Sequence, residues 1–133
     1  MFHAIEWIAP AEVADDDYPM YLTTGRVLYH YHTGTMTMKT DGLNERAPES
    51  FVEITRDDAQ GMGIENGDRV TIASRRGEIQ AQVRISRKAD DGTVFIPFHF
   101  AQAAANKLTN AALDPISGIP EYKVCAVKLS KGA

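Results

Sequence analysis

The chain has 133 residues, with 14 Lys and Arg against 18 Asp and Glu, four His, one Cys and one Trp. Length predicts one domain that buries roughly two-thirds of its unfolded surface and needs no disulfide or metal staple, while 44% hydrophobic and 24% charged residues mark a globular chain. A formal net charge of −4 argues against a broad nucleic-acid surface, and one cysteine excludes an internal disulfide, a four-cysteine zinc site and a self-contained iron–sulfur cluster.

Residues 1–17 (MFHAIEWIAPAEVADDD) predict a lead-in segment, and residues 18–130 predict the domain proper. Glu6 and Pro10 interrupt the lead-in, so it does not form the apolar run of a signal peptide. No stretch approaches the ~20 apolar residues of a membrane span, so no direct membrane insertion is expected. The cytoplasm is the default location; a chain exported together with a signal-bearing partner would read the same way.

Tyr18–Thr24 predicts a strand, with Pro19 near its start where a missing N–H is tolerated. Gly25-Arg26 breaks it, and Val27–His32 is again rich in aromatic and β-branched residues. Thr33–Pro48 shows no period and predicts a long irregular loop, of a length usually functional or disordered. Phe51–Ile54 predicts a short strand, and Thr55 the N-cap of a short helix whose first turn carries Asp57 and Asp58. Gly61 and Gly63 end that helix, and Asn66-Gly67-Asp68 turns the chain.

The clearest pattern follows. Val70, Ile72 and Ser74 alternate with Arg69, Thr71 and Ala73; after Arg75-Arg76-Gly77, the residues Ile79, Ala81, Val83 and Ile85 alternate with polar neighbours. That predicts a β-hairpin with one wet face and Arg75-Arg76 at its exposed tip. Asp90-Asp91-Gly92 predicts a turn, Val94–Ile96 a buried strand, alanine-rich Ala101–Leu108 a helix and Tyr122–Leu129 a last strand. Six or seven short strands with short inserted helices predict a mainly β protein, closed as a barrel to remove its strand edges.

Chemistry gathers in the sequence around RVLYHYHTGTMT (Arg26–Thr37). Arg26 offers a fixed fork of donors for phosphate or carboxylate. On a strand, His30 and His32 would point to the same side. Gly34 lets a ligand approach the backbone, and Thr33, Thr35 and Thr37 add hydroxyls. The group suits a polyanionic ligand; the plain alternative is a loop carrying two surface histidines. A sharper rival joins His99 to the pair as a three-histidine zinc site. Asn106 and Asn110 could serve as helix C-caps or read a purine edge. Lys123 could reach a phosphate or lie solvated, and Cys125 suits a packed core thiol better than a nucleophile. No Walker-type or Rossmann glycine pattern is present.

TTGRVLYHYHTGTMT (Thr23–Thr37), GLNE (Gly42–Glu45), SRRGEI (Ser74–Ile79), PFHFAQAAANKLTNAALDP (Pro97–Pro115) and IPEYKVCAVK (Ile119–Lys128) occur in this order. Together they resemble the C-terminal molybdopterin dinucleotide-binding domain of molybdenum- or tungsten-dependent formate dehydrogenase large subunits, from about Tyr18 to Leu129. Periplasmic nitrate reductases share part of the pattern.

The resemblance implies a double-psi β-barrel with short inserted helices, and bis-molybdopterin guanine dinucleotide as the cofactor. By position, it implies that Thr24, Gly25 and Arg26 hold phosphate or pterin atoms, with His30, His32 and Thr33 continuing that contact. Phe98 and His99 would line the pterin side, Asn106 would bond the pterin or guanine, and Tyr122 with Lys123 would close the site. The family's metal ligand, catalytic residues and cluster cysteines have no counterpart here, so no catalytic or metal residue is expected. Implied partners are the catalytic large subunit or preceding domains and iron–sulfur electron-transfer subunits. The resemblance therefore implies a cofactor-binding part of a formate dehydrogenase, converting formate to CO2 or the reverse. Alternatives are the equivalent domain of a nitrate reductase or formylmethanofuran dehydrogenase, or a non-catalytic double-psi interaction module.

Overall fold

Alternation decides the centre of the fold. Along β3 (Arg69–Ser74), Val70, Ile72 and Ser74 are buried, and along β4 (Gly77–Ile85), Ile79, Ala81 and Val83 are buried between exposed Glu78, Gln80 and Gln82. The two pair antiparallel from Ser74↔Gly77 to Arg69↔Gln82, as the sequence predicts. The computed structural model describes residues 1–47 and 49–132 (at Gln102 the backbone only); Pro48, the end of the predicted loop, lies outside the described residues.

Four further strands complete the barrel: β1 (Met20–Gly25), β2 (Phe51–Ile54), β5 (Thr93–Pro97) and β6 (Cys125–Lys131). Closure runs β1-β5-β2-β4-β3-β6 and back to β1. Two neighbouring pairs are parallel, β1 with β5 (Tyr21↔Thr93 to Gly25↔Pro97) and β2 with β4. The rest are antiparallel. Leu22, Val52, Ile54, Val70, Ile72, Val94 and Ile96 fill the interior. The fold is thus mainly β, a closed six-stranded barrel with few helices, as expected.

Thr55 caps the short helix Arg56–Gly61 as predicted. Its hydroxyl oxygen accepts from the Asp58 N–H at 3.1 Å, and its own proton goes to Asp58 Oδ2 at 3.0 Å. The same Oδ2 accepts the Gly92 N–H, joining the helix start to the turn before β5. Thr55→Ala is expected to cost about 1 kcal/mol in denaturant unfolding, and Thr55→Ser only a few tenths.

Two expectations are corrected. The last strand begins at Cys125, and Cys125, Ala126 and Val127 are all buried, because both faces of the sheet are covered there. Ala101–Leu108 is not one helix but two single 3-10 turns, Ala101–Ala103 and Ala105–Lys107, parted at extended Ala104 (ψ 98°). Ala103 and Ala105 are both buried. On a continuous α-helix they would lie about 200° apart, so one core cannot take both.

The hairpin tip is exposed, as predicted, and it is also clamped by ion pairs. Arg75 Nη1 meets Glu12 Oε1 at 2.6 Å, its other nitrogen meets Asp15, and the guanidinium lies over the Tyr18 ring. Arg76 Nη2 lies 2.7 Å from Glu12 Oε2, and its Nε–H donates to the Leu108 carbonyl at 2.9 Å. Glu12 and Asp15 thus tie the expected lead-in to the barrel, whereas Phe2, Ile5, Trp7 and Ile8 stand exposed.

Candidate functional site

β1 leaves the sheet at Gly25, where its pairing with β5 ends at Pro97. Just before that point Thr24 is buried, and its hydroxyl donates to the Tyr122 carbonyl at 2.9 Å. This bond ties the end of β1 to the segment that precedes β6. Gly25 is required by close approach: a Cβ there would lie 2.6 Å from the edge of the Phe95 ring.

A cleft of about 750 Å³ opens beside these residues, lined by Thr24, Gly25, Arg26, Thr33, Phe98, Asn106, Tyr122 and Lys123. Eight of the eleven residues implied by the resemblance therefore meet in one place. Their chemistry is complementary. Arg26 and Lys123 supply positive charge, and among the described residues neither has an ion-pair partner. Thr33 and Asn106 supply neutral hydrogen-bonding groups, and Phe98 and Tyr122 supply flat faces. Such a set fits an elongated ligand with phosphates and heteroaromatic rings.

The three histidines behave differently. Residues 27–32 form turns, not a strand, because β1 has no ladder partner beyond Gly25. His30 and His32 are therefore not paired by strand alternation, although both border a space of about 410 Å³ beside Arg26 and Tyr31. His30 is buried, with Nε2 2.9 Å from the Ala47 carbonyl and Nδ1 3.2 Å from the Thr37 hydroxyl. A carbonyl only accepts, so Nε2 carries a proton. His32 adopts φ 48° on the surface, its ring 4.3 Å from that of Tyr31. The histidines do not converge as a zinc site, and among the described residues no three His, Cys, Asp or Glu side chains do.

His99, next in the chain to cleft-lining Phe98, is 2% exposed, its ring 5.0 Å from His30 and 4.3 Å from Phe100. Neither ring nitrogen has a hydrogen-bond partner among the described residues. Burial first, and the neighbouring His30 second, push its pKa from 6.5 down to about 4. The folded state therefore holds His99 neutral where the unfolded chain takes a proton. Stability is full above about pH 6.5 and falls as the pH drops toward 4, by on the order of 3 kcal/mol. His99→Phe is expected to flatten that limb in urea unfolding measured at stepped pH. The limb due to Asp15, Asp68 and Asp114, whose carboxyls are held below 3.8 mainly by hydrogen bonds, is expected to remain at lower pH.

Two side chains prove structural. Asn110 donates to Glu121 Oε2 and the Val124 carbonyl and accepts from the Ala112 N–H, bracing the chain before β6. Neither it nor Asn106 has the positive φ of a left-handed cap. Cys125 is buried, and burial pushes its thiol up to about 11, which suits a packed core residue rather than a nucleophile.

Sequence reasoning missed a second cleft of about 450 Å³ on the other flank of Arg26, where Phe51, Glu53, Lys88, Asp90 and Phe95 meet. The sequence does not signal it, because the register that sets Glu53 opposite Phe95 joins residues far apart in the chain.

Residues 20–126 match the family described as the molydopterin dinucleotide binding domain. The chain belongs to this molybdopterin dinucleotide-binding family. Within it, the chain is 52% identical over 128 residues to F420-dependent formate dehydrogenase 1 subunit alpha of Methanococcus maripaludis, covering 96% of this chain and 19% of that protein. It is 54% identical over 127 residues to F420-dependent formate dehydrogenase subunit alpha of Methanocaldococcus jannaschii, with the same coverage. A nitrate reductase of Symbiobacterium thermophilum is 46% identical over 126 residues, 92% of this chain and 17% of that one. The chain thus spans about a fifth of the length of these relatives. Among solved structures, acetylene hydratase from Pelobacter acetylenicus superposes with a TM-score of 0.76 at 17% identity, over 87% of this chain and 19% of that one. That likeness concerns the fold alone. The family's description names a molybdopterin dinucleotide as its ligand. No helix among the described residues is long and apolar enough to cross a membrane.

Proposed function

We propose that this chain is the cofactor-binding part of a formate dehydrogenase alpha subunit. It binds bis-molybdopterin guanine dinucleotide and completes the site where formate and CO2 interconvert. One observation carries the reading: Thr24, Gly25, Arg26, Thr33, Phe98, Asn106, Tyr122 and Lys123, scattered in sequence, line a single cleft. When bound, the metal of that cofactor, molybdenum or tungsten, supplies the two-electron chemistry.

This chain's residues bind and shield. The Arg26 fork and the Lys123 ammonium hold phosphate oxygens, and Gly25 leaves room for close approach. The Asn106 amide meets a donor–acceptor edge of pterin or guanine, with Thr24 and Thr33 beside it. Phe98 and Tyr122 cover ring faces and exclude water. His30, His32 and His99 belong to the same reading: His30 and buried His99 support the cleft from behind, and surface His32 extends it. Residues 18–130 form the binding unit, and 1–17 lead into it. The metal's protein ligand and the clusters come from the rest of the alpha subunit and from iron–sulfur subunits, in the cytoplasm.

The nitrate reductase likeness supports a second reading, the equivalent domain in a nitrate-reducing enzyme. Both are tested by purifying the enzyme that contains this chain and measuring metal, pterin and released GMP. Formate oxidation with F420 as acceptor is then compared with nitrate reduction. Stoichiometric pterin and GMP with formate turnover is expected. Absence of both from a stable complex would sink the cofactor reading, and nitrate turnover alone would move the protein to the second.

A further inference from the structure

The SRRG turn between β3 and β4 has no place in the cleft lining, yet it reaches the cleft through one side chain. Arg76 donates from Nε to the Leu108 carbonyl at 2.9 Å, while its Nη2 sits 2.7 Å from Glu12. Glu12 is itself 12% exposed, so the guanidinium is held at both ends. The hairpin tip also touches the segment it grips: a Cβ built at Gly77 would lie 3.4 Å from the Lys107 carbonyl oxygen.

That segment is the single 3-10 turn Ala105–Lys107. A turn of this length has little stability of its own. Two internal bonds close it, Lys107 N–H to Ala104 and Leu108 N–H to Ala105, each at 2.9 Å. Fully buried Ala105 and Leu108 anchor it from beneath. Asn106 lies between those anchors, exposed toward the cleft. Burial fixes the depth of the turn, and two directional bonds meet its C-terminal end: the local one from the Thr109 hydroxyl to the Asn106 carbonyl at 3.2 Å, and the one from Arg76, which ties the turn to the barrel.

We propose that Arg76, braced by Glu12, is a positioning residue for the cofactor cleft, which it serves by holding the Ala105–Leu108 turn and hence the Asn106 amide in place. The proposal rests on the cofactor reading above. Arginine suits the task because its planar fork serves a carbonyl and a carboxylate at once. Lysine, a point charge, keeps the pairing with Glu12 but not the fixed second bond.

The test uses the assembled enzyme and follows pterin fluorescence retained during prolonged dialysis, beside the thermal midpoint. Arg76→Lys is expected to shorten cofactor retention about five- to tenfold, the net worth of one ordinary hydrogen bond. Glu12→Gln, which loosens the brace, is expected to shorten it two- to threefold. Arg75→Gln, which leaves the Leu108 bond intact and removes Glu12's other partner, is expected to shorten it no more than Glu12→Gln does. The deciding readout is a double-mutant cycle. Positioning through Asn106 requires that Arg76→Lys add little once Asn106→Ala is present, whereas a general structural role predicts full additivity. Wild-type retention in Arg76→Lys, full additivity, or an equal loss in Arg75→Gln overturns the proposal. If Arg76→Lys fails to assemble, the same cycle run with Glu12→Gln decides. An unmutated enzyme that carries no pterin instead removes the cofactor reading itself.

Discussion

Replacing Arg26 by alanine in the assembled enzyme is expected to weaken cofactor binding about 30- to 100-fold while leaving the barrel folded. Arg26 lies just past the last paired residue of β1, exposed and without an ion-pair partner among the described residues. Nothing in the fold depends on its charge, so the thermal midpoint of the chain should move little. A buried anion, by contrast, loses a charge-assisted fork worth about 2–3 kcal/mol. Arg26→Lys should recover part of the loss, since it restores charge without the planar pair of donors. Pterin and metal per mole of purified enzyme measure the effect. Wild-type loading in Arg26→Ala would mean that the phosphates lie elsewhere.

Phe100→Ala should have the largest effect on stability, about 3–5 kcal/mol in denaturant unfolding, a large part of the 5–15 kcal/mol usual for a whole domain. Phe100 is 2% exposed, with its ring 4.3 Å from His99 and 5.7 Å from His30. Truncation opens a cavity beside a histidine whose depressed pKa depends chiefly on burial. Two outcomes should therefore appear together: a lower denaturation midpoint, and a shallower loss of stability between pH 6.5 and 4. A normal pH limb in the weakened protein would show that Phe100 does not keep solvent from His99. Phe100→Leu should cost less on both counts, because it refills most of the volume.

What could be read from the sequence follows how local each cause is. Val70 through Ile85 was legible because a one-face-wet hairpin writes its period into adjacent residues, and Thr55 was legible because a cap is built within one turn. Ala101–Leu108 misled because alanine content reports intrinsic propensity, whereas two buried alanines two residues apart broke the helix from outside. Val27–His32 misled in the opposite sense: its residue types suit a strand, but no partner strand extends past Gly25. In the site, spacing singled out Arg26 and His30, and the resemblance was needed to join them to Phe98, Asn106 and Tyr122. Even so, it could not separate cleft-lining Arg26 from buried His30. The Glu12–Arg76–Leu108 chain left no trace at all, since its members are distant in sequence and meet only after the barrel has closed.

Closure also sets an order in time. β1 is made first, yet its two neighbours are β5 and β6, the last strands to be synthesised. Until about residue 97 has left the ribosome, one edge of Met20–Gly25 is bare; the other waits for Cys125–Val127. The cleft inherits this schedule, because Thr24 and Arg26 come early whereas Tyr122 and Lys123 come just before the final strand. Bringing such distant segments together is slow, since the entropy of closing long loops is lost before any contact compensates it. The nascent chain therefore has no finished pocket to offer. On the cofactor reading, the cleft cannot be filled before Tyr122 and Lys123 have been made, and until then the unpaired β1 edge is the stretch that a chaperone has most reason to cover.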